Sequence, residues 1–172
     1  RSRARPGLLD DDPDVVERCV DIVRRHGEDP SRFVLEIAES RLLGEASLEL
    51  LTALARLRLK GFGLAIDAFG NSRFALEELR QIPFTEIKID RSLVQTAIES
   101  GSAAALFDAG VLMARRLSLT VTAVGVETPA QWQRAADRGC ELAQGFLIAA
   151  AVRGEELALR AERWHAAGMV PR

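Results

Sequence analysis

Acidic residues, one lysine and one glutamine recur along this chain at a spacing that fits a shared site. Glu36 and Glu39 close one apolar run, and Asp67 closes the next, just before Phe69-Gly70. Lys88 and Asp90 end a third, Glu127 follows a fourth, and Gln144 sits in a fifth. Carboxylates arriving from several segments suit Mg2+ or Mn2+, hard cations that prefer oxygen ligands. Two such ions can clamp the attacking and leaving oxygens of a phosphodiester displacement. A nearby lysine can orient water or neutralise phosphate charge. Each residue also has a plainer role. Glu39 and Glu127 can serve as turn or capping carboxylates. Asp90, followed by Arg91 and Ser92, can be an N-cap, and Lys88 a solvated charge at a strand end. The shared placement on successive segment ends is what speaks for a site.

Positioning these groups requires regular elements. Asp12-Pro13 opens a helix whose stripe is Val15, Val16, Cys19, Val20 and Val23, stopped by Gly27. After the turn Asp29-Pro30-Ser31, Phe33 to Glu39 reads as a strand. A helix from Ser47 to Lys60 carries Leu50, Leu51, Leu54 and Leu57 and ends at Gly61. Phe62 to Asp67 is a strand, Phe74 to Gln81 a short helix, and Thr85 to Asp90 a strand. Ala103 to Leu117 is a long helix, Leu119 to Val124 a strand, and Thr128 to Gly139 a helix carrying Trp132. Leu142 to Phe146 is a very short strand and Glu155 to Trp164 a last helix. Strands alternating with helices imply right-handed βαβ units and a parallel sheet. A closed (β/α)8 barrel needs eight strands and typically ~250 residues. Five strand–helix steps therefore fit either an open doubly wound sheet or a barrel lacking its first part, and periodicity alone favours the open sheet. In a barrel, the C-terminal strand ends would form the active face.

The bulk composition narrows the function classes. The chain has 172 residues, a formal charge of −2, and 48% apolar and 28% charged residues, ordinary values for a soluble protein. No basic surplus argues for nucleic acid. The start at Arg1, Arg3 and Arg5, beside Pro6-Gly7, reads as a frayed end. Cys19 and Cys140 stand far apart in no metal-type spacing, so both read as bystander thiols, as expected in a reducing cytoplasm. No apolar run reaches the ~20 residues of a membrane helix, and no signal peptide is visible. The chain lacks an initiator Met, which fits a piece of something longer.

Five segments then point to one family. Leu35-Glu36-Ile37-Ala38-Glu39-Ser40 resembles the LEITES segment of the EAL domain family, and Ala65-Ile66-Asp67-Ala68-Phe69-Gly70 resembles its LDDFG. Glu86-Ile87-Lys88-Ile89-Asp90-Arg91-Ser92 resembles LKIDRSF, and Ala123-Val124-Gly125-Val126-Glu127-Thr128 resembles AEGVET. Gly139 to Phe146 resembles GCDYVQGY. The order is right, and the match runs from about Asp12 to Val152. The resemblance implies a (β/α)8-like barrel that hydrolyses cyclic di-GMP to linear pGpG with Mg2+ or Mn2+. It implies metal ligation by Glu36 and Asp67, and water positioning by Lys88. Glu39 would steady the loop after the DDFG strand, and Glu127 would be the second Glu of EGVE. Gln144, Phe146 and Asp90 would lie on the substrate side.

The departures from the family pattern shape the functional expectation. Ala68 replaces the second Asp of DDFG and Val124 the first Glu of EGVE, deleting two metal-site oxygens. The loop GTGYSS appears as Gly70-Asn71-Ser72-Arg73-Phe74-Ala75, and SRP as Ala149-Ala150-Ala151. The E-A-L strand and the NLS strand have no counterpart, and the one Asn in the chain is Asn71. The expectation is a partial (β/α)8 TIM-like barrel lacking its first strands, with about five parallel strands, flanking helices and open edges. Residues 1–11 would be linker, 12–167 the partial domain and 168–172 a tail. Its role would be cyclic di-GMP sensing or protein contact, with metal binding weak or absent. The partner would be a protein or an upstream GGDEF or sensor domain, and open sheet edges would allow self-association. The alternative is an active cyclic di-GMP phosphodiesterase if the missing N-terminal half is supplied.

Overall fold

The computed structural model describes residues 14–39, 42, 47–70, 82–98 and 100–166. Helix α1 (Val15–Arg25) buries Val15, Val16, Val20 and Val23, the valines of the sequence stripe. It starts after Asp14, whose side chain caps nothing; Asp12 and Pro13 lie outside the described residues. A 3-10 turn (Pro30–Arg32), opened by the Asp29 carboxylate accepting from the Ser31 amide, leads into β1 (Val34–Ala38). Helix α2 (Leu48–Leu59), capped by the Ser47 hydroxyl, buries Leu50, Ala53, Leu54 and Leu57. Strand β2 spans Gly63–Phe69 and β3 Glu86–Ile89. The expected helix from Phe74 to Gln81 lies outside the described residues. Helices α3 (Arg91–Thr96) and α4 (Gly101–Arg116) follow. Strand β4 (Thr120–Val124), helix α5 (Pro129–Arg138), strand β5 (Leu142–Gln144) and helix α6 (Gly154–Ala166) complete the order.

Local chemistry sets several boundaries. Thr128 and Gln131 form a reciprocal capping box at the start of α5, with Pro129 at its first position. Gly139 ends α5 at φ 87, a left-handed conformation that glycine adopts without steric cost. Strand β5 stops before Gly145 and Phe146, two residues short of its expected end. The Gly145 backbone presses so closely on Val126 that a Cβ there would lie 2.0 Å from the Val126 carbonyl oxygen. Close approach to the loop after β4 pulls the chain out of the ladder.

The five strands are all parallel and lie in the order β1-β2-β3-β4-β5. That order separates the two architectures that periodicity left open. A doubly wound sheet reverses direction at a switch point and carries helices on both faces. Here each step advances one strand in the same direction, so right-handed crossovers put the helices on one face, as in a barrel. The core lies on that face: Ile37, Leu64, Ile66, Ile87, Ile89, Val121 and Ala123 pack with Leu54, Leu57, Phe107, Val111 and Ala114. Each fully buried Leu, Ile or Phe contributes roughly 1.5–3 kcal/mol of transfer free energy.

Among the described residues β1 and β5 do not pair with each other, so the sheet is open. Val34 at one edge is 38% exposed and Leu142 at the other 48%. An open apolar edge is a template for pairing with another chain. The isolated chain should therefore associate, with a sedimentation coefficient that rises with concentration. A monomer of constant sedimentation coefficient at high concentration would contradict this.

Candidate functional site

Strand alternation sorts side chains between two faces, and the parallel register carries the sorting across the sheet. Glu36 pairs with Ala65, Ala65 with Glu86, and Glu86 with Thr120. One pleat further along, Ala38 pairs with Asp67 and Lys88 with Thr122; beyond them Val124 pairs with Gln144. All of these belong to the face opposite the helices. Five strands thus bring Glu36, Asp67, Glu86, Lys88, Thr122 and Gln144 onto one surface, while the intervening residues fill the core.

Three of the anticipated groups meet there. The Lys88 ammonium lies 2.8 Å from Glu36 Oε1 and 3.7 Å from Asp67 Oδ1. Lys88 is 3% exposed, against 23% and 24% for its partners, so its stem is buried and its charge is met by carboxylates. The plainer alternative, a solvated strand-end lysine, does not describe it. Reaching Glu36 from β3 requires crossing β2, whose residue paired with both Glu36 and Glu86 is the fully buried Ala65.

A second polar pair on this face was not singled out in the sequence. Glu86 and Thr122 are both buried, and Thr122 Oγ1 donates to Glu86 Oε1 at 2.6 Å. This bond ties β3 to β4 one pleat below Lys88. The available signal was a Glu and a Thr at inward positions of otherwise apolar strands.

The two positions where the family pattern is broken lie beside the cluster. Register between β2 and β3 shifts between Ile66 and Phe69, so the chain bulges there, and Ala68 sits at φ 61. Such a left-handed position suits Gly, Asn or Asp better than Ala. Val124 ends β4 on the same face as Gln144. Neither offers an oxygen. Among the described residues no group of three or more His, Cys, Asp or Glu side chains is arranged to hold a metal ion. Of the hard oxygen ligands that Mg2+ or Mn2+ prefer, the cluster offers the carboxylates of Glu36 and Asp67 beside Lys88.

The other anticipated residues lie apart from the cluster's ion pairs. Glu127 Oε1 is 3.0 Å from Arg91 Nη2, and its backbone amide donates to Gln131 Oε1 at 2.7 Å. The Asp90 carboxylate accepts from the Ser92 amide at 2.8 Å and caps α3, in line with its plainer role. Glu39 follows β1 and is 2% exposed. Gln144 shares the polar face but is exposed, and Phe146 is 69% exposed beyond β5. Asn71 to Ala75 lie outside the described residues. Burial pushes the Cys140 thiol up to about 12 and raises that of Cys19 too. Neither supplies a thiolate nucleophile near neutral pH.

The EAL domain family model matches residues 8–151 of this chain. The chain belongs to the EAL domain family. It is 37% identical over 142 residues to the bifunctional diguanylate cyclase/cyclic di-GMP phosphodiesterase MucR of Pseudomonas aeruginosa, covering 80% of this chain and 21% of MucR. Among solved structures, the EAL domain of Mycobacterium smegmatis DcpA aligns with a TM-score of 0.83 at 31% identity, over 96% of this chain and 72% of that one. The manganese and cyclic di-GMP complex of Klebsiella pneumoniae BlrP1 aligns with a TM-score of 0.77 at 32% identity, over 84% of this chain and 37% of that one. This EAL chain spans less than a third of the length of the first curated relatives it matches. Its five parallel strands are part of the TIM-like barrel of these EAL domains.

The bulge makes a measurable demand. Holding Ala68 in the left-handed region costs about 1–2 kcal/mol, partly offset by the greater chain entropy of glycine. Ala68→Gly should raise stability by about 0.5–1 kcal/mol. A shift of the urea midpoint at constant slope checks it, and a lower midpoint would show that the bulge is not strained.

Proposed function

We propose that this EAL chain takes part in cyclic di-GMP signalling as a sensing or protein-contact module and does not hydrolyse the dinucleotide at an enzymatic rate. The observation that carries the reading is Ala68 and Val124 standing where the family pattern has carboxylates, beside Glu36 and Asp67 on the polar face. A phosphodiester displacement assisted by two metal ions needs ligands for both. Glu36 and Asp67, with no oxygen from Ala68 or Val124, leave that shell short of donors. The relatives named as phosphodiesterases support a cyclic di-GMP signalling context, and MucR's name joins that activity to a diguanylate cyclase. An upstream cyclase or sensor domain is therefore the partner we propose, in a cytoplasmic protein. No helix among the described residues is long and apolar enough to cross a membrane.

One observation favours the alternative of a hydrolase completed by further strands. Glu36, Asp67 and Lys88, which the family resemblance casts as metal ligands and water-positioning lysine, share one face at one end of the sheet. Strands added at the β1 edge would bring further groups to that face.

Chromatography of cyclic di-GMP incubated with the chain and Mg2+ or Mn2+ separates the readings. Negligible linear product over hours is expected; turnover on the order of 1 s−1 or more would overturn the proposal. Restoring the two oxygens with Ala68→Asp and Val124→Glu in this same chain should still yield no turnover, because two added carboxylates do not supply the remaining strands. Product from that double variant would show these five strands to be a sufficient scaffold.

A further inference from the structure

We infer that helix α6 is an exchangeable arm that seats Trp164 on Trp132 of its own chain or on Trp132 of a second copy. Among the described residues, the one hydrogen bond, ion pair or ring contact that ties α6 to another element is this indole pair. The ring centroids lie 5.8 Å apart and the planes are tilted by 59°. Trp132, on α5, packs against the core, and Trp164 is half-buried. Residues 153–162 are exposed along their whole length. A helix of 13 residues is marginal by itself in water, so α6 owes its position to that seat. The segment before it, 149–153, belongs to no helix or strand, and Gly154 has open space where a Cβ would stand. Such a segment, extended, spans roughly 17 Å, enough to carry the helix away from its own α5.

The occupant that fits the Trp132 seat is visible in the chain itself, and a second copy carries the same helix. Reciprocal exchange keeps the indole pair, so it sacrifices no contact, and it gives an isologous two-fold dimer. A tethered arm has a high effective concentration for its own seat, so the dimer must cover surface that the monomer leaves open. That surface lies beside the arm. Beyond Leu117, the exposed large apolar side chains are Leu142, Phe146, Leu157 and Leu159, which belong to β5, the turn after it and α6. Two copies meeting there bring these side chains together while the arms cross. Pairing at the β1 edge is a different contact and leaves α6 where it is. The exchange is also independent of whether the chain hydrolyses cyclic di-GMP.

Complementation between two full-length variants tests the exchange. Trp132→Leu removes the seat and keeps the arm, and Trp164→Ala keeps the seat and removes the ring that fills it. Neither variant can form the indole pair alone, but a dimer of one of each restores it once. The chain has two tryptophans, so each variant reports through a single indole. Amide hydrogen exchange in α6 of an isotope-labelled Trp132→Leu chain should be fast for that variant alone. It should slow about threefold to tenfold on adding excess unlabelled Trp164→Ala chain, the worth of one aromatic pair, and the Trp164 fluorescence should shift with it. Sedimentation should show the mixture associating more tightly than either variant. Association of each variant alone, with no gain in protection on mixing, would be edge pairing and would overturn the arm. So would α6 amides that stay protected in Trp164→Ala alone. Should Trp132→Leu fail to fold, judged by its urea midpoint, Trp132→Met takes its place with the same expected outcomes.

Discussion

A buried lysine reaching across a strand organises the inner half of this protein. Lys88 starts on β3, crosses β2 and meets Glu36 of β1. That reach requires three strands in register with the same pleat facing inward. Slipping any of them by one residue would exchange every inward group for its core-facing neighbour. Glu36 would then be replaced by Leu35 or Ile37, and Lys88 by Ile87 or Ile89. Register is therefore set from both sides of the sheet. The apolar layer under the helices supplies the larger energy, and the ion pair with the Glu86–Thr122 bond supplies specificity on the polar side.

Much of this was legible in the sequence because alternation and spacing are local. The strand that keeps Glu36 and Ile37 on opposite faces reads directly from Val34-Leu35-Glu36-Ile37, and the capping box at Thr128 reads from the threonine, proline and glutamine around it. Strand order was not legible in the local pattern and came from the family resemblance, which implied a partial barrel. Whether β2 lies between β1 and β3 depends on crossover direction, and no local pattern encodes it. The bulge at Ala68 was equally hidden, because alanine carries no left-handed preference. Asp and Asn would have announced the turn.

The site shows the same division between local and non-local information. Strand-end placement correctly brought Glu36, Asp67 and Lys88 together, since inward-facing residues near the ends of adjacent parallel strands converge. It could not tell which oxygen meets which nitrogen. Glu127 lies beside Arg91 because the loops after β3 and β4 run side by side: a Cβ on Gly125 would lie 2.4 Å from the Arg91 Cγ. Asp90 satisfies the nearest backbone amide instead of turning inward. Short-range hydrogen bonding of this kind competes with any longer reach, and for a carboxylate at a helix start it commonly wins. Glu86 and Thr122 escaped notice for the opposite reason. Their meaning is entirely cross-strand.

The arrangement separates the residues that hold the sheet from those that line its polar face. The apolar face needs Leu, Ile and Val at alternate positions and has them, so the five strands and their helices persist. The polar face has a weaker claim on any single residue. Ala68 and Val124 remove oxygens without leaving a buried charge unpaired, and the lysine that remains suffices for the two carboxylates it touches. Had Glu36 been lost alone, Lys88 would have stayed buried with reduced compensation, a far costlier state. The polar residues at the cluster are thus those that neutralise one another, and charge balance in a low-dielectric interior is a constraint on them that catalysis need not impose.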